Sequence, residues 1–376
     1  MNTKKIRNLI FSIILLALSF LIMFFLDTNK HEYGYAISII ERSMIFAVVA
    51  VSMNLVNGFT GLFSLGQAGF MAIGAYVTAI LTIPVSKRAS VYYINGISDA
   101  IATIELPIPV ALIVGGLVAA LFAALIGIPV LRLKSDYLAI ATLGFAEIIR
   151  AIIASPMMDQ ITNGSYGLKS IPAFGSIYEV FLISFLCIGI MVLLINSSYG
   201  RAFKAIRENE IAAESVGINL FKMKELSFVI SSFFTGVGGG MLAMFMRSID
   251  SKTFQLSLTY DILLIVILGG IGSVSGSVLG AFIITAGKEL LRFFDEPLTL
   301  FGVNIPLFKP GLRMVVFSIL LMLIVLFWNK GLMGGRELTY DSIIDFFKNL
   351  PNLISGKGAK NTNDNENKLQ SKEMSK

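Results

Sequence analysis

The sequence predicts an all-α, polytopic transmembrane helical bundle of about ten spans, with small-residue packing and both termini in the cytoplasm. Three observations carry this prediction. Hydrophobic residues make up 55% of the 376-residue chain and charged residues only 14%, against about 25% charged residues in soluble domains. Apolar runs near the ~20 residues needed to cross a bilayer recur along the whole chain. Small residues recur every four positions within several of these runs, a spacing that favours close helix packing in lipid.

Ten apolar segments are the candidate spans. The first follows a basic start and resembles a signal peptide. It is longer than a signal h-region and no A-x-A cleavage site follows, so we expect an uncleaved span. The eighth and ninth are short and meet at GGIGSVSGS, where they could form one broken element. The segments are 9–26, 36–56, 62–83, 108–130, 137–154, 178–196, 226–246, 259–270, 276–291 and 311–328.

The distribution of basic residues predicts the orientation of the chain. With the N-terminus inside, the cytoplasmic segments hold 18 Lys and Arg and the outer loops hold 9, as the positive-inside rule requires. The net charge of +6 therefore belongs to loops between spans. We therefore expect the chain to lie in the lipid bilayer and not to bind nucleic acid.

Composition divides the chain into three parts. Residues 1–334 form the predicted transmembrane domain, which includes a charged cytoplasmic loop at 199–225. Residues 335–354 could form a short amphipathic helix on the inner membrane surface. Residues 355–376 show no apolar periodicity and are predicted to be a disordered cytoplasmic tail.

Stripes of small residues predict where the helices cross. Small side chains at i and i+4 lie on one helix face and let two backbones approach closely. We interpret them as packing positions rather than as parts of a transport pathway. The stripes are Ser232, Gly236 and Gly240; Gly272, Gly276 and Gly280; and Ala68, Ala72, Ala75 and Ala79.

Polar residues inside the spans are the candidates for a translocation pathway, because burying them in hydrocarbon is costly. Asn54, Gln67 and Thr142 offer amide and hydroxyl groups. Glu147 adds a carboxylate near the outer end of the fifth span, and Arg150 follows one turn later. An ion pair between these two side chains is the simpler interpretation, and a polar vestibule is the alternative.

The chain offers little for catalytic, cofactor or metal chemistry. It holds one histidine and one cysteine, too few for a soft metal site. It has no G-x-x-x-x-G-K-[ST] string, so ATP binding in a P-loop is not expected. We therefore predict a protein that is not an enzyme and needs no cofactor. It would draw energy from an ion gradient or from ATP hydrolysed by a partner.

The charged loop is the best candidate for contact with such a partner. The stretch RAFKAIRENEIAAESVGINLFKMK, from Arg201 to Lys224, holds five Lys or Arg and three Glu in 24 residues. Small or apolar residues recur in this stretch at alternating steps of four and three positions. This spacing predicts one helix with a small, mostly apolar face, which ends or kinks at Gly217. Such a face suits docking into a groove, and a solvated linker is the alternative. The face comprises Ala202, Ile206, Asn209, Ala213, Val216 and Leu220.

Several stretches resemble one family of bacterial ABC importer permeases. IAAESVG is similar to the loop motif of these permeases, E-A-A followed by three residues and Gly, with Ile211 where many have Glu. Further matches run in order from about residue 50 to 335. They resemble the LivM-like permease subunit of branched-chain amino acid importers. The stretches are NLVNGFTGLFSLGQAGFMAIGAY, SDYLAIATLGFAEIIRAII, ITNGSYGLKSIP, GRAFKAIRENEIAAESVGINLFKMKELSFVISSFFTGVGGGMLA, VILGGIGSVSGSVLGAFI and NKGLMG.

The resemblance implies a multi-pass permease subunit in a bacterial cytoplasmic membrane. It would form a heterodimer with a second homologous permease subunit and bind two ABC ATPase subunits. An extracytoplasmic substrate-binding protein would deliver a small amino acid substrate. The charged loop would contain the coupling helix that enters an ATPase cleft, with Ala213 and Gly217 carried over as motif residues. The predicted coupling residues are Arg201, Arg207, Glu210, Ile211, Ala212, Ala213, Glu214 and Gly217.

Other functions remain open at the level of sequence. A urea or short-chain amide permease shares these motifs, and permeases for sugars or nucleosides are more distantly similar. An ion-driven secondary transporter would need a relay of intramembrane carboxylates, and Glu147 stands nearly alone. A structural or assembly protein would not need polar residues in several spans. Gln67 stands where relatives often have His, so no protonation role is expected for it.

Overall fold

A computed structural model gives the fold of the chain, and the residues that it describes are 20–94, 96–133, 135–292, 299–300, 303–304, 312–327, 331–333 and 337. Met23–Arg336 forms one compact unit. The second unit, Met1–Ile22 with Glu337–Lys376, lies almost entirely outside the described residues. The predicted disordered tail at 355–376 falls outside them, as do most of the predicted surface helix at 335–354 and most of the first predicted span.

The described chain is built from helices, with one short antiparallel hairpin of strands β1 (Thr299–Leu300) and β2 (Val303–Asn304). A π-helix at Leu55–Thr60 continues α1, and short 3-10 turns lie at Pro156–Met158, Gly164–Tyr166 and Ser251–Phe254. The α-helices are α1 (Lys30–Asn54), α2 (Gln67–Thr82), α3 (Val85–Val91), α4 (Asp99–Ala102), α5 (Ile108–Val130), α6 (Ser135–Ile153), α7 (Asp159–Thr162), α8 (Ile177–Asn196), α9 (Ser198–Glu208), α10 (Glu210–Ser215), α11 (Leu220–Met246), α12 (Leu256–Gly269), α13 (Val274–Leu290) and α14 (Leu312–Phe327).

Each predicted apolar segment after the first coincides with a described helix. The segment 108–130 matches α5 at both ends. The segment 62–83 is helical only from Gln67, because the left-handed backbone of Gly61 (φ 78°) ends the preceding π-helix. Among the described residues, four helices are long and apolar enough to cross a membrane, or up to six if each of two bent pairs counts as one span. The count of about ten spans and the orientation of the termini therefore stay predictions.

The central helix of the bundle is α11, whose side chains are mostly buried between Ser227 and Met244. It packs against α1, α2 and α5. A Cβ added to Gly74 of α2 would overlap Gly236 O, and one added to Gly236 would lie 2.6 Å from the Cβ of Ala119 in α5. The predicted packing role of Gly236 is therefore confirmed, since no larger side chain fits where these backbones cross.

The stretch GGIGSVSGS joins two antiparallel helices rather than forming one broken helix. Between α12 and α13 the chain turns through Gly270 and Gly272, with φ of 113° and 84°. Gly280 lies against the backbone of α12, where an added Cβ would be 2.6 Å from Ile265 O. A Cβ added to Gly276 would overlap Gly269 O. Two members of the predicted stripe, Gly276 and Gly280, thus form the seam that holds the hairpin closed. The prediction is wrong for Gly272, which lies in the turn before α13 and not on a helix face.

Gly74→Ala is expected to destabilise the bundle by about 1–3 kcal/mol, because the added methyl group must push α2 away from α11. Gly144 of α6 provides the matched control, since a Cβ added there meets nothing within 4 Å. Gly144→Ala should leave stability unchanged or raise it slightly through better helix propensity. Thermal unfolding in detergent compares the two variants, and equal midpoints would contradict the packing assignment.

Candidate functional site

The charged loop folds as two short helices, α9 and α10, with Asn209 between them. Asn209 has an extended backbone, with φ −162° and ψ 111°. Its Oδ1 accepts a hydrogen bond of 3.0 Å from the N–H of Ala212, so it caps the N-terminus of α10. The prediction of one continuous helical face from Ala202 to Leu220 is therefore wrong, because the cap at Asn209 begins a new helix.

Gly217 ends α10, as predicted. Its backbone is left-handed, with φ of 87°. Its N–H donates to Glu214 O at 2.9 Å and the N–H of Ile218 donates to Ala213 O at 3.1 Å, the pair of bonds that defines a Schellman motif. A Cβ added to Gly217 would meet nothing within 4 Å. The requirement for glycine therefore comes from the backbone conformation and not from lack of space.

The loop has one face against the bundle and one face toward solvent. Phe203, Ile206 and Ala213 are buried on the inner face. Ile211 and Val216 are 78% and 77% exposed on the outer face. The outward side of the loop therefore presents Ile211 and Val216, whereas Ala213 packs inward.

The remaining predicted coupling residues are exposed charged or small residues, and two of them make fixed contacts within the loop. Arg201 Nη2 donates to Ser198 Oγ at 2.9 Å. Glu210 forms an ion pair of 2.6 Å with Lys224 Nζ, which joins α10 to the first turns of α11. The exposed members of the predicted set are Arg201, Arg207, Glu210, Ile211, Ala212, Glu214 and Gly217.

Arg207 anchors the loop to the membrane helices. Its Nη1 donates a hydrogen bond of 2.9 Å to Gly58 O, in the π-helix that continues α1. Its other nitrogens pair with Glu208, which orients the guanidinium. One turn earlier, Lys204 Nζ lies 5.6 Å from the centre of the Phe59 ring, within the range of a cation–π contact. Two cations of α9 thus hold the loop on the π-helix.

Asn54, predicted to line the pathway, clamps the turn between α12 and α13. Its Nδ2 donates to Ser273 O at 2.9 Å and to Ser277 Oγ at 2.7 Å. Its Oδ1 accepts from the N–H of Gly272 at 2.8 Å. A Cβ added to Gly58 would overlap this same Oδ1. Gly58 therefore contacts the Asn54 amide on one side and Arg207 on the other.

Gln67 belongs to a buried network of hydrogen bonds between α1, α2 and α11. Its Oε1 accepts from Thr235 Oγ1 at 2.6 Å and its Nε2 donates to Ser231 Oγ at 3.4 Å. Ser231 Oγ donates to Ser52 O at 2.6 Å, and Ser52 Oγ lies 2.8 Å from Thr235 Oγ1. The Gln67 amide is therefore satisfied inside the bundle.

Thr142 and Glu147 of α6 also have protein partners. Thr142 Oγ1 accepts from the N–H of Leu65 at 3.0 Å and donates to Ala139 O at 3.0 Å. Glu147 forms the expected ion pair with Arg150, with 2.7 Å between Oε2 and Nε. The pathway role of Asn54, Gln67, Thr142 and Glu147 stays a prediction, since the hydrogen bonds of these groups also have a purely structural use.

The sequence did not predict the roles of Gly58, Asn209 and Lys224 in this site. Asn209 carries a usable signal, because Asn is a preferred N-cap residue immediately before a helical run. Gly58 and Lys224 carry none. Their partners Arg207 and Glu210 lie 149 and 14 positions away in the chain, and local periodicity does not reveal such contacts.

The fold and this site define a helical integral membrane protein whose charged loop is anchored to its membrane helices. The chain belongs to the family described as "branched-chain amino acid transport system / permease component", which matches residues 35–326. This membership and the long apolar helices together establish that the chain resides in a membrane.

Similar proteins include permeases from bacteria and archaea. The chain is 32% identical to the high-affinity branched-chain amino acid transport system permease protein LivM of Escherichia coli (strain K12), over 69% of this chain and 64% of that protein. The match thus spans just under two thirds of that relative. The chain is 26% identical to the probable branched-chain amino acid transport permease protein LivM of Methanocaldococcus jannaschii, over 78% of this chain and 92% of that protein. It is 25% identical to the guanosine ABC transporter permease protein NupQ of Bacillus subtilis (strain 168), over 77% and 90%. No solved structure matches the chain.

Arg207→Gln is expected to loosen the loop, because the hydrogen bond to Gly58 O is lost. The side chain is 37% exposed, so the loss is about 1 kcal/mol, which corresponds to amide exchange about fivefold faster across α9 and α10. Hydrogen–deuterium exchange with mass spectrometry measures this directly. Arg201→Gln is the control, since Arg201 bonds only within the loop to Ser198. Equal exchange in the two variants would show that Arg207 is not the anchor.

Proposed function

We propose that the chain is the permease subunit of an ABC importer for branched-chain amino acids. With a second homologous permease subunit it forms the membrane pathway. Two ATPase subunits bind on the side of the charged loop, and an extracytoplasmic binding protein delivers the substrate. The observation that carries the proposal is the loop itself: two capped helices, held against the bundle, that present Ile211 and Val216 outward. Family membership and the 32% identity to LivM support the amino acid substrate.

The source of energy follows from the chemistry that the chain carries. It holds no P-loop string, so ATP must be bound by another subunit. A proton-driven carrier needs a relay of intramembrane carboxylates. Glu147, the carboxylate considered for such a relay, is paired with Arg150 at 2.7 Å. An ATPase bound to the loop is therefore the better supported source of energy.

The anchor of the loop supports a route by which an ATPase would move the membrane helices. A push on α9 reaches α1 through the bond from Arg207 to Gly58 O. The π-helix directly follows Asn54, which binds the turn between α12 and α13. The ion pair of Glu210 with Lys224 connects α10 to α11. Movement of the loop would thus shift packed helices as units, which is how small displacements switch a transporter between two states.

Ile211→Lys and Val216→Lys are expected to reduce ATP-dependent leucine uptake at least about tenfold, because each places a charge in an apolar contact with the ATPase. Both side chains are exposed, so the variants should still fold and enter the membrane. Uptake is measured in vesicles that contain the whole transporter, its ATPases and its binding protein. The conservative variants Ile211→Leu and Val216→Ile control for disturbance of the loop and should retain uptake.

The same vesicles test the class of transporter and its substrate. Uptake that continues without ATP and collapses with an ion gradient would contradict the ABC proposal. Uptake of urea or guanosine in place of leucine would contradict the assignment of the substrate. Undiminished leucine uptake by both lysine variants would show that the outer face of the loop is not the ATPase contact.

A further inference from the structure

A cavity of about 460 Å³ lies at the end of the bundle opposite the charged loop. It is bordered by α1, the start of α8 and the end of α11, where Arg247 follows Met246. Since α11 has 27 residues and an α-helix rises about 1.5 Å per residue, its two ends are about 40 Å apart. The cavity and the loop are therefore separated by the full length of a span. Its volume lies within the range of small-molecule sites, about 300–1,000 Å³.

The charged side chains that line the cavity are Lys30, Glu41 and Arg247. Lys30 is already neutralised, because its Nζ lies 2.9 Å from Asp27 Oδ1. It also donates a hydrogen bond of 3.4 Å to Gly175 O. Among the ion pairs of the described residues, none involves Glu41 or Arg247. One half-buried acid and one exposed base therefore face the same cavity without a direct ion pair, and Lys30 and Arg247 both lie within electrostatic range of Glu41.

The backbones around both side chains are fixed. Arg247 follows α11 in a left-handed conformation, with φ of 58°. Its N–H donates to Ala243 O at 2.9 Å and its C=O accepts from the N–H of Ile171 at 3.2 Å. A non-glycine residue keeps such a strained backbone only where its surroundings hold it. Glu41 lies on the face of α1 that also carries Ser38 and Gly34, one and two turns away.

We propose that this cavity is a binding site for a zwitterionic α-amino acid, whose carboxylate pairs with Arg247 and whose ammonium group pairs with Glu41. Neither charge belongs to a direct ion pair, and the two have opposite sign, as the two ends of a zwitterion require. Hydrogen bonds to charged groups are the strong ones. An aliphatic side chain would lie against Ile37, Ile177 and Phe245. This inference rests on the proposed amino acid import and adds that the permease itself recognises both charged groups of its substrate.

The proposed site discriminates by charge rather than by size. An uncharged solute such as urea or a nucleoside would form no ion pair with Glu41 or Arg247, and a site built for two charges rejects ligands that lack them. Leucinamide keeps the ammonium group but lacks the carboxylate, and 4-methylpentanoate keeps the carboxylate but lacks the ammonium group. These two leucine analogues therefore separate the contributions of the two side chains.

The test is a titration of the purified full-length chain in lipid nanodiscs with leucine, leucinamide and 4-methylpentanoate, followed by saturation-transfer NMR. Leucine is expected to bind about tenfold more tightly than either analogue, equivalent to about 1.4 kcal/mol for each charge contact. Glu41→Gln should weaken leucine binding about tenfold and abolish the preference for leucine over 4-methylpentanoate. Arg247→Gln should instead abolish the preference over leucinamide.

Two control variants remove charges near the site without removing its contacts. Arg42→Gln changes the residue next to Glu41. The Arg42 guanidinium lies 5.7 Å from the centre of the Phe46 ring, and Arg42 lines a different cavity. Lys252→Gln removes an exposed cation five positions after Arg247. Both variants should bind leucine as the unaltered protein does. The comparison of the three ligands on the unaltered protein needs no variant, so the proposal is testable even if Glu41→Gln misfolds.

Some outcomes would overturn the site and leave the proposed function intact. Absence of leucine binding, equal binding of leucine and both analogues, or unchanged leucine affinity in Glu41→Gln and Arg247→Gln would each reject the site. If the assembled transporter still imports leucine in that case, only the site is rejected. If the unaltered transporter does not import leucine while it imports another solute, the proposed function itself is rejected.

Discussion

The close contact of the backbones of α2, α5 and α11 is the constraint on which the rest of the structure depends. Lipid is as apolar as the side chains that it surrounds, so helices in a membrane gain little from hydrophobic burial against one another and must associate by close packing. Gly74, Gly115 and Gly236 permit that packing by leaving no side chain where the three helices meet. Because α11 leads to the charged loop at one end and to Arg247 at the other, this crossing also fixes the positions of both candidate sites.

The buried polar residues also hold neighbouring helices together. A polar group left unsatisfied in an apolar interior costs about 1–3 kcal/mol, so a partner on a neighbouring helix or on the group's own helix stabilises it. Asn54 finds the turn between α12 and α13, and Gln67 finds Ser231 and Thr235 of α11. A polar residue inside a span therefore identifies a contact between helices as readily as a transport pathway.

The π-helix after α1 connects this packing to the loop. Backbone hydrogen bonds between residues i and i+5 make each turn of a π-helix wider than a turn of an α-helix. Such segments occur often at functional sites. Here the segment ends at Gly61 and brings Gly58 O to the surface of the bundle that faces α9. Gly58 lies in the last turn before Gly61, where carbonyl groups have no partner within the helix. Its carbonyl oxygen is therefore available to accept the hydrogen bond from Arg207.

Much of the fold could be predicted from local patterns, and most of the site could not. Apolar runs gave the bounds of α5, and the spacing of Gly276 and Gly280 predicted a packing seam, because both depend only on neighbours along one helix. The bond from Arg207 to Gly58 joins residues 149 positions apart, and the cavity of Glu41 and Arg247 forms only when α1 and α11 pack together. Contacts of this kind depend on how helices are arranged, which periodicity does not encode.

The two candidate sites are carried by the same pair of helices. Glu41 lies on α1, whose continuation is held by Arg207, and Arg247 follows α11, whose first turns are held by the Glu210–Lys224 ion pair. Any movement of the loop that shifts α1 against α11 must also change the separation of the two charges in the cavity. An amino acid bound between them would then have different affinities in the two states of the loop. Linkage makes this effect reciprocal, so occupancy of the cavity would bias the position of the loop by the same free energy.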